Sequence, residues 1–151
     1  MGAGGGLVHD RGIRRCLGSG GEPLCAGVAR EWMASEHEMV AVAGWSAYAN
    51  YLSITPNERL DLKEIRRLLE QVERTVRGER NRVRYNMNAF VIAVGAYVPA
   101  LFEEALSVAE RIGKVDVNVG QTACKVPLAS AYIRKIEEKG NVGKKKKTCR
   151  C

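Results

Sequence analysis

From Trp32 to Gly140 the apolar residues recur every three or four positions, the spacing that keeps one face of an α-helix turned toward a core. The first such stretch carries Met39, Val42, Ala43, Trp45 and Tyr48 or Ala49 and ends at Thr55-Pro56. It predicts one long helix, or two short ones meeting near Ser35. Asp61 opens a second helix. With Glu64 three residues on it resembles a capping box, in which a carboxylate accepts the orphan N–H groups of the first turn. Its stripe is Leu62, Ile65, Leu68, Leu69, Val72 and Val76, and Gly78 closes it. A third helix is expected from Asn81 to Val98, with Val83, Met87, Phe90, Val91, Val94 and Val98 on one face. Pro99 starts a fourth, carrying Leu101, Ala105, Val108, Ala109 and Ile112, with Gly113 as its C-cap. Pro127 fits the first position of a last helix with Leu128, Tyr132, Ile133 and Ile136, closed by Gly140.

Between the last two helices, Lys114 to Val126 alternates enough to mimic a strand, but an isolated strand has no partner, so the segment reads as loop. The fold class is therefore all-α, built from stacked antiparallel helical hairpins, either a compact bundle or a HEAT-like solenoid. Leu68, Leu69, Val72, Phe90, Val94, Leu101, Val108 and Ile133 are expected in its core. A chain of 151 residues that is 46% hydrophobic suits one core. Residues 1–26 are glycine-rich without a hydrophobic period and read as a disordered leader, residues 27–140 as the helical domain, and residues 141–151 as an unfolded basic tail.

Charge changes the picture next. The formal net charge is +7, which favours an anionic partner without specifying a fold, and nucleic acid leads the possible partners. On the second helix Arg66 and Arg67 lie opposite the apolar stripe. Arg82 and Arg84 follow Arg80 at the start of the third, where backbone N–H groups and guanidinium forks suit phosphate oxygens. Lys144, Lys145, Lys146 and Lys147 form a run on the tail that would act by counterion release, and Lys125 joins them as a candidate from the connector. None of these features reads a base sequence. With no long apolar run and no export signal, the chain reads as soluble and cytoplasmic, with no membrane contact.

Enzyme motifs are sparse. The clusters Gly4-Gly5-Gly6 and Gly18-Ser19-Gly20-Gly21 lack the strand and the Gly-Lys-Ser/Thr ending of a phosphate loop. Gly44-Trp45-Ser46 begins like a nucleophile elbow but lies in a helix. Glu36, His37 and Glu38 point in different directions around a helix and suit a surface or N-terminal cap. Five cysteines without an export signal argue against a disulfide framework. Cys149 and Cys151 form a C-x-C without finger-like spacing, and Cys124, among apolar residues, reads as a small core hydrophobe. No metal and no cofactor is expected, and Trp32 and Trp45 read as core residues.

The stretches Glu31–Trp45, Asn81–Val98, Ile112–Ile133 and Gly140–Thr148, with the blocks TACKVP and GKKKKT, resemble the bacterial DNA alkylation repair (AlkD-like) proteins, from about Trp32 to the C-terminus. The resemblance implies a HEAT-like solenoid whose concave basic face holds duplex DNA, and a relation to glycosylases that excise cationic N3- or N7-alkylated purines. It favours solenoid over bundle. It also implies departures. Val42 stands where active members carry arginine, and Ala96 stands where they carry tryptophan. Asp10, among glycines, is the only aspartate before Trp32 in the region matching the catalytic one. Excision of a cationic base needs a carboxylate and aromatic faces. The expectation is a DNA-binding relative lacking the full catalytic set; the alternative is a non-catalytic helical module for protein interaction.

Overall fold

The computed structural model describes residues 22–122 and 124–147. Most of the expected leader and the C-x-C pair lie outside the described residues. Six α-helices are described: α1 (Glu22–Met33), α2 (Glu38–Ile54), α3 (Leu62–Thr75), α4 (Asn81–Tyr97), α5 (Phe102–Ile112) and α6 (Ala129–Glu138). Among the described residues there is no strand, and 3-10 turns at Asn57–Arg59, Val76–Gly78 and Pro99–Leu101 make the corners. The first stretch is two helices, broken around Ser35, whose hydroxyl accepts the His37 N–H at 3.2 Å. α1 also begins at Glu22, inside the segment expected to be disordered up to Ala26.

Successive helices form HEAT-like hairpins in two layers. α2, α4 and α6 lie side by side with α4 in the middle, while α3 and α5 pack behind them and α1 packs along α2. α4 is buried on most of its circumference, at Val83, Met87, Phe90, Val91 and Val94, because it has inner neighbours on both sides and α5 behind. Trp45 and Tyr48 of α2 meet Phe90 edge-on, with ring centroids 5.3 and 5.8 Å apart. Such pairs add about 0.5–1.5 kcal/mol each beyond the area they bury. The eight expected core residues, from Leu68 to Ile133, are all buried.

Two glycines set the spacing. A Cβ on Gly44 would lie 2.5 Å from the Met33 nitrogen and 2.8 Å from the Ala29 carbonyl oxygen, so α1 and α2 touch backbone to backbone. A Cβ on Gly95 would lie 2.8 Å from Ile133, which fixes how closely α6 approaches α4.

One polar cluster ties three helices. Asp61 caps α3 by accepting the Glu64 N–H at 3.2 Å, but the Glu64 side chain does not return to close the box. It turns inward, accepting from the Tyr48 hydroxyl at 2.8 Å and from Arg30 at 2.6 Å. Burial, and next the bond to Glu64, push the Tyr48 hydroxyl well above its ordinary pKa, so it stays a donor. A buried carboxylate needs such partners, and their attraction outweighs the weaker capping contact.

Several apolar residues sit differently from expectation. Met39 is 59% exposed, because α2 turns Ala41, Gly44, Trp45 and Tyr48 inward instead, a shifted stripe serving two neighbours. Leu128 and Tyr132 are 45% and 50% exposed, Cys124 is exposed rather than core, and Pro127 precedes the N-cap Leu128 instead of opening α6.

The backbone contact at Gly44 is testable by urea unfolding. Gly44→Ala should cost at least about 1–3 kcal/mol by overpacking, whereas Gly78→Ala, whose Cβ would meet nothing within 4 Å, should stay within about 0.5 kcal/mol. Equal midpoints for the two variants would contradict the packing described.

Candidate nucleic-acid interface

The fold separates the basic residues that the sequence places close together. Arg66 faces the outer layer, where its guanidinium donates twice to Glu104 at 2.8 Å. Those bonds hold the Glu104 carboxyl below its usual range. Arg111 binds Glu73 the same way, at 2.6 and 2.9 Å, so this surface is a ladder of compensated charges. Arg67 is exposed on the same helix. Residues two apart on a helix diverge by about 200°, so Arg82 and Arg84 cannot share a face. Arg84 faces a recess formed with Arg77, Lys114 and Asp116. Arg80 donates to the carbonyls of Ser35 and Glu36, and the Arg82 N–H donates to Glu38 at 2.8 Å. The α4 N-terminus, expected to suit phosphate, is therefore already occupied by a carboxylate of the chain itself.

What the inner helices do build is a groove. Its first segment, of about 570 Å³, is lined by Val42, Arg82, Tyr85, Asn86 and the loop 117–122 with Cys124. The second, of about 510 Å³, shares Tyr85 and continues over Ala49, Ala89, Ile92, Ala93 and Ala96 to Lys125, Tyr132 and Lys146. Asn81 holds the loop in place through its side-chain amide, which donates to the Asn118 carbonyl at 2.8 Å and accepts the Asn118 N–H at 2.7 Å. Farther along, Asn88 donates to the Pro127 carbonyl at 2.9 Å, fixing the approach to α6. The lining holds three cations, four tyrosine or uncharged amide groups along α4, and no carboxylate among the described residues. A trough of this kind attracts polyanions. Of the expected site residues, it brings together Arg82, Lys125 and Lys146.

No protein-family model matches the chain. It is 38% identical over 113 residues to the uncharacterized protein Lin0241 of Listeria innocua, covering 75% of this chain and 47% of that protein. It is 38% identical over 111 residues to the uncharacterized protein Lmo0209 of Listeria monocytogenes, covering 74% and 46%. The chain thus spans about half the length of the curated relatives it matches. Among solved structures it superposes with a TM-score of 0.80 and 27% identity, over 96% of this chain and 66% of the other. That structure represents a family of proteins related to the HEAT-like repeat DNA glycosylases, with affinity for branched DNA structures. The chain resembles this glycosylase-related family in fold and in sequence.

Within the HEAT-like frame, two of the positions that the resemblance marks as departures from active members line the groove. Val42 lines its first segment and Ala96 its second. The basic tail also differs from the unfolded arm expected of it. The Gly143 N–H donates to Ala96 and the Lys146 N–H to Ser53, both at 2.8 Å. The Lys145 ammonium donates to the carbonyls of Leu52 at 2.9 Å and Tyr97 at 2.7 Å. These acceptors lie in the last turns of α2 and α4, where helices leave carbonyls without intrahelical partners. That chemistry docks the tail. Lys145 is thereby an anchor within the fold, Lys146 sits 5.8 Å from the Tyr97 ring centroid, and Lys144 and Lys147 are exposed.

Burial lowers the Lys145 pKa from 10.5 to about 8, with Glu58 partly opposing the shift. A neutral amine retains donors for both carbonyls. Because the unfolded chain holds more protons than the folded one between those two values, stability from this group should rise with pH across that window. Urea unfolding of wild type against Lys145→Met should therefore show the wild-type advantage growing between pH of about 7.5 and about 10. A difference that stays flat or shrinks would contradict the desolvated ammonium.

Proposed function

We propose that the chain binds DNA in the groove of α2, α4 and α6, through phosphate contacts from Arg82, Lys125 and Lys146, and does not excise bases. The observation that carries this reading is the composition of the groove lining, which offers cations, amides and aromatic rings but no carboxylate among the described residues. Phosphate contacts position a duplex without reading its sequence. Affinity of the structural neighbour for branched DNA supports branched DNA as the form preferred here too. Excision of a cationic purine would need a carboxylate against the developing sugar cation. Val42 and Ala96 also leave the groove without the arginine and tryptophan that the resemblance assigns to active members.

Lys144 and Lys147 can add to the phosphate contacts from the edge of the groove, whereas Arg66 is held by Glu104 and contributes little. A protein-interaction role remains the second class of reading, and binding measurements separate the two. Fluorescence anisotropy with a four-way junction and a matched duplex should show affinity falling steeply as salt rises. Arg82→Ala and Lys125→Ala should each weaken binding several-fold and reduce the salt slope by about 1, and Arg66→Ala should leave both unchanged. DNA affinity that ignores salt, or that depends on Arg66 instead, would contradict the groove.

Catalysis is tested on the same preparation. Methylated duplex should be bound without release of 3-methyladenine or 7-methylguanine above the spontaneous rate. Release at substoichiometric protein would show that a carboxylate outside the groove lining serves the chemistry.

A further inference from the structure

The chain has five tyrosines, and the fold uses them in different ways. Tyr48 and Tyr51 are buried, stacked edge to face at 5.6 Å. Tyr97 is half-buried beneath Lys146. Tyr85 and Tyr132 are instead 40% and 50% exposed, and both line the second segment of the groove, one on α4 and the other on α6. The floor between them is made of Ala49, Ala89, Ala93 and Ala96, so no bulky side chain fills the space. Ile92 adds an apolar patch. Arg82 lies beside Tyr85 in the adjoining segment, and Lys125 and Lys146 share the segment with Tyr132.

A fully paired duplex can use the cations of such a groove but not its apolar floor, because paired bases show their faces only to one another. Exposed aromatic rings above an apolar floor leave surface that only a flat apolar ligand covers. Unpaired bases have that shape, and base–aromatic stacking tolerates any base because each has a π-face. An apolar peptide could also cover the rings, but the flanking cations without carboxylates favour a ligand that carries phosphate.

Building on the reading of the groove as a DNA surface, we infer that Tyr85 and Tyr132 stack on unpaired bases at a branch point, while Arg82, Lys125 and Lys146 hold the adjoining phosphates. The tyrosines give preference for branched or gapped DNA, and the cations give affinity for any DNA. The small side chains of Ala49, Ala89, Ala93 and Ala96 together keep the floor open.

The test uses the full chain with two DNAs of equal length, a paired duplex and a three-way junction with unpaired 2-aminopurine nucleotides at the branch. Wild type should prefer the junction and should quench the probe on binding. Tyr85→Leu and Tyr132→Leu should each lower that preference by about fivefold to tenfold and relieve the quenching, with duplex affinity kept. Tyr132→Phe, which retains the ring, should behave as wild type. Ala96→Trp should fill the floor and lower junction preference as well. If Arg82→Ala weakens both DNAs while the leucine variants keep the wild-type preference and quenching, the stacking inference fails and the DNA groove stands. If Arg82→Ala, Lys125→Ala and the leucine variants all leave both affinities unchanged, the groove is not the DNA surface and both readings fall.

Discussion

The burial of α4 between two neighbours is the constraint on which the rest of the structure depends. Its apolar residues face α2 on one side, α6 on the other and α5 behind. What remains open to solvent is a narrow strip running through Tyr85, Ala89 and Ile92, spaced so that they line one side of the helix. That strip is the groove floor. Had the neighbours stood farther apart, the strip would have been wide and flat. On the α6 side Gly95 prevents this, because a Cβ there would lie 2.8 Å from Ile133. The depth of the groove on that side is thus a consequence of one missing side chain.

Charge is then sorted by the same layering. On the outer face, carboxylates of α3 and α5 alternate with arginines and pair with them, as Arg66 does with Glu104 and Arg111 with Glu73. Such exposed pairs contribute little stability, but they cancel the local field. On the inner face no carboxylate lines the groove among the described residues, so the charges of Arg82, Lys125 and Lys146 are left uncompensated there. A net charge of +7 therefore understates how unevenly the potential is distributed. The tail strengthens the inner side twice, since Lys145 joins the ends of α2 and α4 and carries Lys146 to the groove.

Helix positions were legible in the sequence because α3 and α5 have one buried face each, and α4 keeps a helical spacing of large apolar residues. The phase of α2 was not. It packs against α1 and α4 at once, so small residues such as Ala41 and Gly44 turn inward while Met39 turns out. The choice of groove residues was legible only in part. Arg66 looks like Arg82 in sequence, and what separates them is Glu104, 38 residues away from Arg66 and one helix across. Docking of the tail was hidden because its partners are backbone carbonyls, which carry no residue-type signal. Tyr132 fits the apolar spacing of α6 yet is exposed, because among the described residues α6 has only one inner neighbour.

The central claim is that the face made by α2, α4 and α6 is where DNA lies. Amide hydrogen exchange with and without a saturating four-way junction tests it most directly. The loop residues 117–122 and 124–127 line that face and should exchange quickly in the free chain, since among the described residues their backbone makes few internal hydrogen bonds. The account predicts that the junction slows exchange in this loop and at the start of α4, and leaves α3 and α5 as they are in the free chain. Protection of α3 and α5 with the loop unchanged would contradict it.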